Sequence, residues 1–144
     1  MATSLKNDPV PDLDQFRLRR FVERMIDAGE VEVVEDAVDL ADVASRMDGN
    51  EKAVLFRQAG PERTELIGSM TGGRRRMAMA FGVEPGDLLA EVNRRLATPQ
   101  EVIELESGEA PVHEVILTGD DVDLTLLPVH LQHGQDGAPY ISAT

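Results

Sequence analysis

Along this chain, apolar residues at helical spacing give way repeatedly to short β-branched runs, and that alternation restricts the fold to the α/β classes. Leu18, Phe21, Val22, Met25 and Ile26 fall at i, i+3, i+4, i+7 and i+8, one face of a helix, with Gly29 placed to cap it in the left-handed conformation. Val31 to Val34 is a β-branched run that predicts a strand. A second helical stripe, Leu40, Val43, Ala44 and Met47, is broken by Asp48-Gly49-Asn50. Ala53 to Phe56 reads as a buried strand, Gln58 to Arg63 as a turn and Glu65 to Gly68 as another strand, a pairing suited to a hairpin.

Further along, Gly72-Gly73 opens a helix expected to carry Met77, Ala80 and Phe81 on one side. Pro85 fits the first turn of the next helix, whose Leu88, Leu89, Val92 and Leu96 are expected to face inward before Thr98-Pro99 stops it. Val102 to Leu105 and Val112 to Leu117 are two more strand candidates around a Ser107-Gly108 break, which places a domain boundary between Leu105 and Val112. Residues 1–11, polar with two prolines, read as a flexible lead-in. The last stretch, from Leu127 to Thr144, is a loop rich in turn formers that enters an expected strand at Tyr140-Ile141. Burying each such apolar side chain is worth roughly 1.5–3 kcal/mol, so this ending is expected to be completed by further chain or by a partner.

Charge narrows the partners. Asp and Glu number 27 against 14 Lys and Arg, a net charge of −13, which phosphate backbones and anionic membrane surfaces repel. Nucleic acid and membrane are therefore not expected partners. There is no cysteine, hence no disulfide framework, thiolate ligand or thiol nucleophile. The N-terminal segment has no apolar signal region and no run approaches a membrane span; a soluble, cytoplasmic protein is the expectation. A chain of 144 residues accommodates one full domain and a fragment of a second.

Two segments invite a chemical reading. Gly68-Ser-Met-Thr-Gly-Gly73 follows an expected strand and opens a helix, the context of a phosphate-binding loop. Arg74 and Arg75 stand where Lys and Ser or Thr are required, and a guanidinium fork does not replace the ammonium. Arg74, Arg75 and Arg76 could still hold an anion at the helix N-terminus. The competing and better expectation is that they pair with carboxylates, one or two reaching across a domain or subunit contact, because cations at a helix N-terminus oppose its dipole. His130 and His133, with Asp136, would make a divalent-metal site if they lay on a helical turn. Pro128, Gly134, Gly137 and Pro139 favour a loop instead, and no further ligand is evident. His113 falls in a strand pattern and reads as a packed or surface residue. No serine sits on a nucleophile elbow.

The order Leu18 to Glu30, Ala53 to Phe56, Gly68 to Gly82 with its Gly-Gly-Arg-Arg-Arg element, then Leu127-Pro128 with His133, Asp136, Gly137 and Pro139 to Ile141 resembles the N-terminal part of the UbiD family of decarboxylases. The likeness runs from about Asp14 to Thr144. It implies an enzyme that uses prenylated FMN, with manganese and potassium, to decarboxylate aromatic, heteroaromatic or α,β-unsaturated carboxylic acids, in some cases reversibly. The cofactor supplies the chemistry while the protein orients it and provides acid and base. The family's catalytic residues and metal ligands lie downstream of Pro139 to Thr144, so the resemblance assigns no catalytic or metal residue here. Ser142 and Thr144 are near where the family's cofactor pocket begins.

The fold class that follows is α/β (α+β): an N-terminal mixed-sheet domain with flanking helices over 12–105, and over 106–144 the opening strands of an incomplete split-barrel domain for prenylated FMN. The resemblance also implies a homo-oligomer of the complete enzyme and a partner in the rest of the polypeptide or a second subunit. The alternative is a noncatalytic acidic α/β module that binds and completes or regulates another chain.

Overall fold

The computed structural model describes residues 13–99, 106, 108 and 113–141. The lead-in 1–11, the strand expected over 102–105, and Ser142 and Thr144 lie outside the described residues. A 3-10 turn at Leu13–Phe16 leads into α1 (Leu18–Asp27), followed by β1 (Val31–Val38), α2 (Val43–Met47), β2 (Ala53–Ala59), β3 (Thr64–Gly68), α3 (Arg74–Phe81) and α4 (Leu88–Ala97).

The strands form one mixed sheet in the order β1-β2-β3, with β1 parallel and β3 antiparallel to β2. Val31 lies opposite Ala53 and Val34 opposite Phe56; the register shifts before Val38 meets Ala59. In the β2-β3 hairpin Val54 faces Gly68 and Phe56 faces Leu66. Parallel strands need a crossover, and α2 supplies it. β2 is the central strand, which is why Ala53 to Phe56 is an unbroken buried apolar run.

Alternation along β2 divides the core between the two sheet faces. Val54, Phe56 and Ala59 pack with Val38 and Val43, flanked by Val34, Leu40, Met47 and Leu66. On the other face Leu55 and Ile67 floor a groove beneath Leu18, Val22 and Ile26 of α1, rimmed by Arg19, Glu23 and the ion-paired Arg57 and Glu65. Helix α1 ends as its sequence predicts: Gly29 has φ +73, its N–H donates to Ile26 O at 2.9 Å, and the Glu30 N–H donates to Met25 O at 2.9 Å, a Schellman closure. That closure turns the chain directly into β1.

The structure corrects several expectations. Helix α3 turns Arg76 and Ala78 inward, leaving Met77 and Ala80 exposed and Phe81 half-buried; the anchoring of Arg76 sets its rotation. Helix α4 starts at Leu88, and Pro85 lies in the turn before it. Of the stripe expected to face inward, Leu88 is buried and Val92 half-buried, whereas Leu89 is 64% exposed and Leu96 is 74% exposed, because only the first turn of α4 reaches the core. Residues 113–117 form no strand, and His113 is exposed outside any ladder. Tyr140 and Ile141 are likewise exposed and non-strand. β-Branched composition stabilises a strand only through a partner, and none of the described strands pairs with these segments.

Candidate functional site

The segment between β3 and α3 is tightly constrained. Gly68 closes β3 where an added Cβ would lie 1.9 Å from Met47 Sδ. Ser69 takes φ +57, a conformation uncommon outside glycine, and its carbonyl accepts from the Gly72 N–H at 3.1 Å. Gly73 caps α3 in extended conformation. A Cβ there would meet the Arg76 guanidinium carbon at 3.1 Å, and one on Gly72 would meet Nη2 at 3.3 Å. At these glycines the side chains of Met47 and Arg76 approach the backbone closely, so a larger residue would make them shift.

Each arginine has a different partner. Arg74 Nε donates to the Pro85 carbonyl at 2.8 Å, joining the start of α3 to the turn before α4. Arg75 Nε lies 3.2 Å from Glu30 Oε1 at the surface. Arg76, 3% exposed, donates through Nη1 to the Glu51 carbonyl at 2.7 Å and reaches Glu30 Oε2 at 3.5 Å. Its Nε is buried with no hydrogen-bond partner among the described residues. A buried charge persists only when paired and hydrogen-bonded, so the start of β1, the approach to β2 and α3 are held by one guanidinium. The expected carboxylate pairing is therefore found for Arg75 and Arg76, within the chain, and the segment has the contacts of a structural clasp instead of a phosphate cradle.

A second arginine pair lies on α4, and one of the two, Arg95, reaches α3. Glu91 accepts from Arg94 Nε and Nη2 at 2.8 and 2.7 Å and from Arg95 Nε at 2.7 Å. Hydrogen bonds from Arg94 first and Arg95 second hold its carboxyl at about 2, below the ordinary 4.5. Arg95 also donates to the Phe81 carbonyl at 3.0 Å and lies 4.7 Å from the centre of the Phe81 ring.

The histidines occupy a loop. The His133 N–H donates to Asp136 Oδ2 at 2.9 Å and the Asp136 N–H returns to the His133 carbonyl at 3.0 Å, so Asp136 closes a turn through the backbone. His130 is half-buried and His133 exposed; both line an open groove of about 710 Å³ against Asp42, Ser45 and Asp48 of the α2 region. Among the described residues no three His, Asp or Glu side chains converge as a metal site. Sequence reasoning missed Glu30 and the Glu51 carbonyl, because partners 46 and 25 residues from Arg76 leave no local pattern.

Comparison with known proteins places this architecture. Residues 22–96 match the model of the 3-octaprenyl-4-hydroxybenzoate carboxy-lyase N-terminal domain, more than half of the chain. The chain is 29% identical over 126 residues to the anhydromevalonate phosphate decarboxylase of Methanosarcina mazei, covering 87% of this chain and 28% of that protein. An evolved dimeric form of the UbiD-class enzyme HmfF from Pelotomaculum thermopropionicum, in complex with prFMN, superposes with a TM-score of 0.72 at 25% identity, over 88% of this chain and 30% of that one. The vanillic acid decarboxylase of Sedimentibacter hydroxybenzoicus in open form shares the fold, with a TM-score of 0.66 at 23% identity over 87% of this chain and 30% of its own. An α/β domain of the carboxy-lyase type is thus defined by fold and sequence together. The chain belongs to the UbiD family through its N-terminal domain, and it spans less than a third of the length of these relatives.

Proposed function

We propose that this chain supplies the N-terminal part of a carboxy-lyase that uses prenylated FMN to decarboxylate, reversibly in some settings, an aromatic, heteroaromatic or α,β-unsaturated carboxylic acid. In this reading residues 12–105 are the N-terminal domain and 106–144 open the cofactor-binding domain. Ser142 and Thr144 fall near where the family's cofactor pocket begins, while manganese, potassium and the catalytic acid and base are held by the remaining polypeptide or a partner subunit in a homo-oligomer. The observation that carries it is the extended match, 88% of the chain at a TM-score of 0.72, to an enzyme solved with prFMN. The clasp built on Arg76 gives the domain a role that needs no ligand of its own: it ties α3 to the segments that lead into β1 and β2.

The test is to assay carbon dioxide release from cinnamic, benzoic and heteroaromatic acids with prenylated FMN and manganese, using the chain alone and the chain together with the remaining polypeptide or partner subunit of the enzyme. Release by the combination and none by the isolated chain is expected. Turnover by the isolated chain contradicts the division of labour, and a stable but inactive pair favours the noncatalytic module.

A further inference from the structure

We draw no further inference here: the strongest candidate, the open groove in which the His130–Gly134 loop faces Asp42 and Asp48 of the α2 region, carries none because nothing in the structure shows what covers it.

Discussion

Arg75 and Arg76 are adjacent in sequence, share Glu30 as partner and differ in worth. The Arg75 side chain is exposed, and exposed ion pairs contribute about 0–1 kcal/mol. Arg76 is buried, so truncating it strands the Glu51 carbonyl and weakens the hold on Glu30; breaking a buried pair typically costs about 3–5 kcal/mol. Arg76→Ala is expected to lower unfolding stability in urea by about 3 kcal/mol, near the low end because Arg75 still faces Glu30, whereas Arg75→Ala stays within about 1 kcal/mol. Equal losses in the two variants would remove the clasp from the account. The residue types needed for pairing were readable from the sequence, since three arginines in an acidic chain oppose the dipole of the helix they open. Which arginine goes inside was not, because the choice depends on Gly72 and Gly73 lying against the guanidinium and on a carbonyl 25 residues away.

Among the elements, α1, the starts of β1 and β2 and the β2-β3 hairpin follow their sequence patterns, because apolar period and turn chemistry agree there, while β1 runs on to Val38 and β2 to Ala59, into the expected turn. Helices α3 and α4 do not. The α4 stripe places Leu89 and Leu96 inward and the α3 pattern groups Met77, Ala80 and Phe81 on one side, yet tertiary anchors, Arg76 on the Glu51 carbonyl for α3 and Arg95 on the Phe81 carbonyl for α4, are what the structure satisfies. At the start of α3 the arginines are engaged by the Pro85 carbonyl, Glu30 and the Glu51 carbonyl, the arrangement expected of a structural set. A ligand that binds only the folded state stabilises it by RT ln(1 + [L]/Kd), so millimolar phosphate or ATP is expected to leave the melting temperature unchanged; a saturable rise abolished in Arg74→Ala would restore an anion site. In α4 the Glu91 carboxyl titrates at about 2 when folded against an ordinary 4.5. Its folded pKa is depressed, so its contribution is complete above about 4.5 and is lost as pH falls toward 2. NMR titration of the Glu91 carboxyl should find that low midpoint, and Glu91→Gln should flatten the fall of stability between those pH values. A midpoint near 4.5 would mean that the arginine contacts do not persist in solution.

At the scale of the whole molecule, the sheet and its helices bury one core, while residues 113–127 carry Val115, Ile116, Leu117, Val122, Leu124, Leu126 and Leu127 exposed, Val115 at 73%. Large contiguous apolar exposure marks an interaction surface, and this stretch lies beyond the residues 22–96 that match the family domain. The sequence pattern identified its apolar character but assigned strands to it; a strand requires ladder partners, and no described strand pairs with this segment. Unpaired and poorly covered backbone opens readily to solvent, whereas the central strand β2 should open only with global unfolding. Hydrogen exchange on a demonstrably monomeric sample therefore bears most directly on the claim that this chain is one part of a larger decarboxylase. Fast exchange across 113–141 beside strong protection in 53–59, with protection of 113–141 appearing when the rest of the enzyme is added, is the result expected. Slow exchange across 113–141 in the isolated monomer would show a segment that completes its own fold, and would contradict that claim.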